Sequence, residues 1–207
     1  MLIKDLTLYG ARTGNSIRAS IALEESGLSY SAETIALRRG EHKQEPFLSI
    51  NRLGQVPALA ITGEDGKKSV ITQSNAIMLF AAENANGASL LGTTSLARAK
   101  VFERYFYFVT DVVVPSNTGF HLKGAAYPEA AQYLDIASIR NLMYANTFLQ
   151  QHSYVAGDDF SIADIAAFTI SLAYHNEIDW ARLPEMSEWF ERVSEREAVK
   201  RGLAAFR

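Results

Sequence analysis

The apolar residues follow two different patterns in the two parts of the chain. In the first part, short apolar runs alternate with turn residues, a pattern typical of strands mixed with short helices. The predicted strands lie at residues 6–9, 30–35, 56–61 and 70–72, and the clearest helices at residues 16–26 and 74–84. In the second part helical periodicity dominates, over residues 97–114, 130–151, 162–174 and 186–195. The pattern therefore predicts an α+β segment followed by an all-α segment.

The order of elements in the first part predicts a mixed sheet. A strand, a helix and a second strand imply a parallel pair, because parallel strands need a crossover connection. The Gly-Glu-Asp-Gly turn at residues 63–66 separates two further strands and predicts an antiparallel hairpin. We expect domains at residues 1–85 and 94–207, with the linker in the turn-rich stretch between them.

Composition narrows the possible function classes. The chain has 207 residues and a formal net charge of -3, so it lacks the clustered basic charge of a nucleic-acid-binding protein. No apolar run reaches membrane-spanning length and the first residues lack the pattern of a secretory signal, so we expect no membrane partner and a cytoplasmic location. The absence of cysteine excludes disulfides, thiolate metal sites and a cysteine nucleophile. The histidines show no ligand spacing, and no metal is expected.

Three short segments carry distinctive residues in a particular order. Residues 51–59 read Asn-Arg-Leu-Gly-Gln-Val-Pro-Ala-Leu, residues 73–77 read Gln-Ser-Asn-Ala-Ile, and residues 157–164 read Gly-Asp-Asp-Phe-Ser-Ile-Ala-Asp. Together they resemble segments of the cytosolic glutathione transferase family, and the resemblance covers nearly the whole chain. It implies the glutathione transferase fold, an α+β thioredoxin-like N-terminal domain that holds glutathione followed by an all-α C-terminal domain. Arg52 departs from the pattern, since proline is commonest there in the family.

The resemblance assigns glutathione contacts to the first domain. Pro57 matches a cis-proline of the family, which turns the backbone of Val56 outward to pair strand-like with the cysteinyl part of glutathione. Ser74 and the free N–H groups at its helix start are implied to hold the γ-glutamyl carboxylate, aided by the helix dipole. Three polar side chains are further implied contacts of this co-substrate: His42, Gln55 and Gln73. His42 is alternatively a solvated surface histidine.

The group that holds the glutathione sulfur is expected between the first strand and the first helix. A free thiol titrates near ~8.5, and a hydrogen bond to the sulfur favours the thiolate. The stretch Ala-Arg-Thr-Gly-Asn at residues 11–15 is similar to the loop of a bacterial class with disulfide reductase activity, which implies Thr13 as sulfur donor and Asn15 as supporting amide. Ser16 matches a serine of another bacterial class, or is a helix N-cap. Tyr9 is the tyrosine-class alternative, or a strand-end aromatic. The implied type is therefore bacterial and Ser/Thr-dependent.

The third segment has the pattern of a helix N-terminus. Ser161 is the predicted N-cap and Asp164 the residue that reaches back to it, while Phe160 is predicted to staple onto Ile165. The role of this segment is in folding rather than in chemistry, and loss of the cap should cost about 0.5–2 kcal/mol.

The second-substrate pocket is only weakly encoded. An aromatic cluster occupies residues 105–108, and Tyr105 and Phe108 are the candidates to face a pocket for a small hydrophobic electrophile. Core packing is the alternative explanation for these rings. We expect a loop after Pro115 that carries Asn117 and His121 as possible polar contacts.

Three functions remain open from the sequence. The first is conjugation of glutathione to small electrophiles. The second is glutathione-dependent reduction of disulfides or peroxides, in which a second glutathione replaces a protein cysteine. The third is a non-catalytic interaction module on the same fold, which would be free to lose the glutathione contacts kept here. The resemblance also implies a homodimer. Leu53 is either a residue that inserts into the partner subunit or an ordinary exposed leucine.

Overall fold

The computed structural model describes residues 3–206. Contacts divide them into two compact units, the first made from the described parts of residues 1–88 and 196–207, and the second from Ser89–Glu195. The predicted domain bounds, residues 1–85 and 94–207, stay predictions, and their residues 1, 2 and 207 lie outside the described residues. The units differ from these bounds in two respects: the first boundary lies between residues 88 and 89, and the described residues from 196 onward join the first unit.

The first unit is built on a four-stranded mixed sheet. The strands are β1 (Ile3–Gly10), β2 (Ser31–Thr34), β3 (Ala58–Gly63) and β4 (Lys68–Ile71). In the order β2-β1-β3-β4, β1 pairs in parallel with β2 and antiparallel with β3, and β3 pairs antiparallel with β4. The predicted parallel pair and the predicted hairpin are therefore confirmed.

Helices make up most of the remaining structure. They are α1 (Gly14–Glu25), α2 (Phe47–Ile50), α3 (Ser74–Glu83), α4 (Ser95–Phe106), α5 (Val114–Gly124), α6 (Pro128–Tyr144), α7 (Ile162–Ala173), α8 (Pro184–Ser194) and α9 (Glu197–Leu203). Short 3₁₀ turns lie at Leu37–Arg39, Glu41–Lys43, Ala145–Phe148 and Trp180–Arg182. The sequence pattern did not predict α9, because its seven residues are too few for a clear helical period.

In the first unit, α9 packs closely against α1. Ser20 Oγ donates to the C=O of Gly202 at 2.8 Å. A Cβ atom at position 202 would lie 2.6 Å from Cγ1 of Ile21, so this approach requires glycine. Arg196 donates from two guanidinium nitrogens to the Glu25 carboxylate, each at 2.7 Å, a bidentate pair that fixes the start of α9.

In the second unit, α4 continues into α5 through the π-helical segment Tyr107–Val113. Pro115 lies in the first turn of α5, directly after the π-helical segment. The prediction of a loop after Pro115 is therefore wrong, since Asn117 and His121 are helical residues of α5. Tyr107 donates its hydroxyl to the C=O of Asn141 at 2.7 Å, which ties the π-helical segment to α6.

The predicted capping box at the start of α7 is confirmed. Ser161 Oγ accepts the N–H of Ala163, and the Asp164 carboxylate accepts the N–H of Ser161 at 3.0 Å. The same carboxylate accepts the Trp189 indole N–H at 2.9 Å and the Val155 N–H at 3.0 Å. The segment therefore joins α7 to α8 and to the preceding loop. The hydrophobic staple predicted beside it stays a prediction.

Candidate functional site

The register of the sheet brings three separated loops to one end of the first unit. Tyr9 of β1 pairs with Ala58 of β3, so the loop that follows β1 lies beside the segment that precedes β3. Leu59 pairs with Ile71, the last residue of β4, so the start of α3 lies on the other side of that segment. The three loops that carry most of the predicted site residues therefore meet at this end of the sheet.

In the first loop, hydroxyl groups cap helix α1. Thr13 has extended backbone angles and is the N-cap, and its Oγ1 accepts the N–H of Ser16 at 3.3 Å. The hydroxyls of Thr13 and Ser16 are hydrogen-bonded at 3.1 Å, and Ser16 Oγ also accepts the N–H of Ala11 at 3.3 Å. Thr13 is half-buried, whereas Ser16 is fully buried. The reading of Ser16 as the N-cap is therefore wrong: α1 begins two residues earlier, at Gly14, because Thr13 caps it.

The other candidates in this region occupy different surroundings. Asn15 is half-buried in the first turn of α1. Tyr9 lies in β1, and its ring packs edge-on against Phe47 with 6.3 Å between the centroids. This contact favours the interpretation of Tyr9 as a packing aromatic at the end of a strand rather than as the sulfur donor.

The second loop is organised by Asn51. This residue belongs to the 51–59 motif, but the motif alone does not indicate its role. Its buried side chain donates to the C=O of Gln55 at 2.6 Å and accepts the N–H of Leu53 at 3.1 Å. Gly54 has φ +57°, and a Cβ atom there would lie 2.5 Å from the His42 carbonyl oxygen. An asparagine and a glycine at these positions are the signal that could have identified this tight turn.

The segment after this turn presents unpaired backbone. The Val56–Pro57 peptide bond is cis, as predicted. Within residues 3–206, neither the N–H nor the C=O of Val56 forms a hydrogen bond. Gln55 is exposed, Val56 half-buried and Pro57 buried. The Val56 peptide groups are therefore open to a ligand with extended backbone.

The third loop leads into the N-terminus of α3. Gln73 is the N-cap residue, with extended backbone angles, an exposed side chain and no side-chain capping hydrogen bond. Ser74 is the first helical residue, and its hydroxyl makes no hydrogen bond within the described residues. The first N–H groups of a helix have no partner within the helix. This end of α3 therefore offers several donors to a carboxylate.

His42 lies in the 3₁₀ turn that packs on the second loop. Its carbonyl oxygen faces Gly54, and the neighbouring Lys43 donates from Nζ to the C=O of Leu53 at 3.1 Å. The Nδ1 atom of His42 is buried and has no hydrogen-bond partner in the described part of the chain. A buried ring nitrogen without a partner is costly, so a ligand group at this position would remove that cost.

The two aromatic candidates for the second-substrate pocket lie in the second unit. Tyr105 is 1% exposed and Phe108 is fully buried. Core packing explains rings buried to this degree, and the role of either residue in a substrate pocket stays a prediction.

Residues 3–206 contain neither a candidate membrane span nor a candidate metal cluster. No helix there combines the length and apolar character needed to cross a membrane. No group of three or more His, Cys, Asp or Glu side chains in those residues is arranged to hold a metal ion.

Comparison with known proteins gives consistent matches. The family profile "Glutathione S-transferase, N-terminal domain" matches residues 4–83, and "Glutathione S-transferase, C-terminal domain" matches residues 118–197. The chain is 30% identical to Glutathione S-transferase 3 of Zea mays, over 97% of this chain and 94% of the relative. It is 27% identical to Disulfide-bond oxidoreductase YfcG of Escherichia coli (strain K12), over 96% of this chain and 94% of the relative.

A solved structure agrees with these matches. It is a glutathione transferase family member from Pseudomonas fluorescens pf-5 with two glutathione bound, with TM-score 0.82 and 25% identity, covering 96% of this chain and 92% of that one. The predicted fold, a thioredoxin-like part followed by an all-α part, is thereby confirmed. The chain belongs to the glutathione S-transferase family.

Proposed function

We propose that this protein binds reduced glutathione and stabilises its thiolate for attack on small electrophiles. One observation carries the proposal: three sets of hydrogen-bonding groups meet at one end of the sheet, and the Val56 backbone and the Ser74 hydroxyl among them have no partner within the described residues. They are the backbone of Val56, the N-terminus of α3 at Ser74, and the hydroxyl pair at Thr13. A tripeptide with a free carboxylate at each end and a thiol between them matches this arrangement.

Thr13 is proposed as the group that holds the sulfur. Either hydroxyl of the Thr13–Ser16 pair can supply the shared hydrogen. In the structure Thr13 Oγ1 donates to Ser16 Oγ, and Ser16 Oγ also accepts the Ala11 N–H. Rotation of the two hydroxyls, so that Ser16 donates to Thr13 instead, leaves the Thr13 hydrogen for a sulfur. A hydrogen bond to the thiolate and the positive end of α1 both stabilise the anion. Asn15, in the same helical turn, is proposed as a supporting amide.

The remaining contacts orient glutathione. Val56 pairs through its N–H and C=O with the cysteinyl residue in the manner of an added strand. The γ-glutamyl carboxylate binds at the start of α3, to Ser74 and Gln73. His42 and Gln55 hold the glycine end, and the buried Nδ1 atom of His42 gains the partner it lacks.

Titration of the bound thiol tests the proposal. The ultraviolet absorbance of the thiolate is followed against pH for wild type, Thr13→Ser and Thr13→Val. We expect the bound thiol to have a pKa clearly below its free value of ~8.5 in wild type and in Thr13→Ser, and to return toward that value in Thr13→Val. A thiol bound to wild type with the pKa of free glutathione would refute thiolate stabilisation.

Reduction of disulfides is the second candidate reaction. The loop at Thr13 and Asn15 favours it, as does the 27% identity to a relative named as a disulfide-bond oxidoreductase. The glutathione thiolate attacks one sulfur of the substrate disulfide and releases the other as a thiol. A second glutathione then attacks the mixed disulfide, giving the second thiol and glutathione disulfide. Comparison of rates with a mixed disulfide and with an aryl halide distinguishes the two reactions.

We further propose a homodimer in the cytoplasm. Leu53 is 62% exposed on the second loop, and burial in a partner subunit would remove this apolar side chain from water. Light scattering of wild type and Leu53→Ser tests this, and a monomer in both cases would contradict it. For the second substrate, we retain Tyr105 and Phe108 as proposed determinants of electrophile preference.

A further inference from the structure

A cleft of about 400 Å³ lies in the first unit, lined by Arg12, Lys200, Leu203, Ala204 and Phe206. We propose that this cleft binds the anionic group of the second substrate, so that electrophiles with a carboxylate on an apolar body are preferred. The inference rests on the proposed glutathione chemistry and names the substrate class that this chemistry would serve.

The walls of the cleft are fixed by close packing. The Phe206 ring covers the end of β1, and a Cβ atom added to Gly10 would lie 2.3 Å from it. Phe206 is only 2% exposed. Helix α9, which supplies Lys200 and Leu203, is held against α1 by its contacts at Gly202. The cleft is therefore formed before any ligand arrives, which lowers the entropic cost of binding.

Arg12 gives the cleft a positive charge that has no partner among residues 3–206. Its side chain is exposed and forms no hydrogen bond or ion pair with any described residue. Lys200 adds a second cation, which forms an exposed ion pair with Glu197 at 3.2 Å. A guanidinium presents two parallel donors to a carboxylate, so Arg12 is the group suited to hold a planar anion.

The apolar part of the lining selects the rest of the ligand. Leu203 and Ala204 present carbon surface beside the two cations, while the Phe206 ring in the same wall is almost fully buried. A volume of about 400 Å³ is at the small end of ligand-binding pockets, and suits one substituted ring. The combination favours an aromatic or aliphatic acid over a fully polar anion.

The position of Arg12 relates this cleft to the sulfur. Arg12 directly precedes Thr13, and consecutive Cα atoms are about 3.8 Å apart. An acid held by Arg12 is therefore bound by the residue next to Thr13, although Thr13 itself does not line the cleft. The same loop would serve both substrates, with Thr13 at the nucleophile and Arg12 at the anion.

A matched pair of aryl halides tests the proposal. Chlorodinitrobenzene is neutral, and chlorodinitrobenzoate is the same reactive ring with a carboxylate. For wild type, Arg12→Gln, Arg12→Lys and Lys200→Gln, the measured quantity is the ratio of kcat/KM for the acid to that for the neutral ring. We expect Arg12→Gln to lower this ratio roughly tenfold and Lys200→Gln to lower it less. Arg12→Lys should give a ratio between those of wild type and Arg12→Gln, because lysine keeps the charge but not the paired donors. Arg182→Gln, on an exposed turn of the second unit, is the matched control.

The outcomes separate this inference from the proposed function. An unchanged ratio in Arg12→Gln, or an equal fall with Arg182→Gln, would overturn the inference while leaving glutathione transfer intact. Calorimetry with unreactive dinitrobenzoate is a second arm that needs no turnover. Weaker binding to Arg12→Gln than to wild type supports the cleft even if no electrophile is conjugated, and equal binding refutes it.

Discussion

The hydroxyl groups of Thr13 and Ser16 are hydrogen-bonded at 3.1 Å, and the buried Ser16 also accepts the N–H of Ala11. Thr13 therefore caps α1 at the edge of the site, and Ser16 links that cap to Ala11, directly after β1. Fold stability and the proposed sulfur contact share the same three residues. A change at Ser16 should consequently affect both.

Ser16→Ala removes the hydroxyl that links Thr13 to Ala11. We expect the free energy of unfolding to fall by about 1–3 kcal/mol, because a buried N–H loses its acceptor. The pKa of bound glutathione should also rise, though less than in Thr13→Val, because Thr13 is still present but is less well oriented. Urea denaturation and thiol titration measure the two effects. The exposed Ser29→Ala is the control, and a Ser16→Ala protein that matches it in both measurements would contradict the linkage.

Asn51→Ala tests the turn that presents Val56. The substitution removes the 2.6 Å bond to the Gln55 carbonyl and the 3.1 Å bond from the Leu53 N–H. We expect roughly tenfold weaker glutathione binding by calorimetry, since each lost bond contributes about 0.5–1.5 kcal/mol to holding the turn. Unchanged affinity in a folded Asn51→Ala protein would show that the turn does not position the ligand.

Gly10→Ala should destabilise the first unit. The added methyl group would lie 2.3 Å from the Phe206 ring, and overpacking of this kind costs about 1–3 kcal/mol. The double variant Gly10→Ala/Phe206→Leu frees space and should recover part of the loss. A thermodynamic cycle from four denaturation curves gives the coupling. If the two single changes in free energy of unfolding simply add in the double variant, the Phe206 ring makes room for the methyl group without cost, and the predicted clash is contradicted.

Asp164 should make stability depend on pH. Burial raises the pKa of Asp164 to about 6, although its hydrogen bonds from Val155, Trp189 and Ser161 act in the opposite direction. Between pH ~4 and ~6 the folded state thus holds this proton more tightly than the unfolded state, so the stability from this group is lost as pH rises through ~6.

Asp164→Asn removes this titration. The difference in free energy of unfolding between wild type and Asp164→Asn should therefore be about 1 kcal/mol larger at pH 5 than at pH 7.5. Urea denaturation at the two pH values measures it, with the exposed Asp159→Asn as control. A difference that is constant or grows with pH would contradict the raised pKa.

The sequence predicted the elements whose pattern is local. The parallel pair, the hairpin and the capping box at Ser161 follow from spacing and turn residues, and all three are present. The cis bond at Pro57 followed from family resemblance. The loop predicted after Pro115 is wrong, because the sequence does not reveal that this proline lies within a helical stretch that continues beyond it.

The relationships that sequence could not predict are long-range ones. Serine is a preferred N-cap residue, so the sequence indicates Ser16. Which residue caps α1 depends instead on where the chain leaves β1, and Thr13 occupies that position. Helix α9 joins the first unit through the fit of Gly202 against Ile21, a contact between residues far apart in the chain. The cleft beside Arg12 depends on that packing, so no local pattern could indicate it.

Calorimetric titration with reduced glutathione is the most direct test of the central claim. Wild type is compared with Gln73→Ala/Ser74→Ala, which removes the proposed side-chain contacts at the start of α3, and with Arg182→Gln as a control for surface change. The account predicts binding by wild type and by the control, and its loss in the double variant. Equal binding by the double variant would contradict the placement of glutathione at α3. No binding by wild type would contradict the enzymatic function and favour a non-catalytic interaction module.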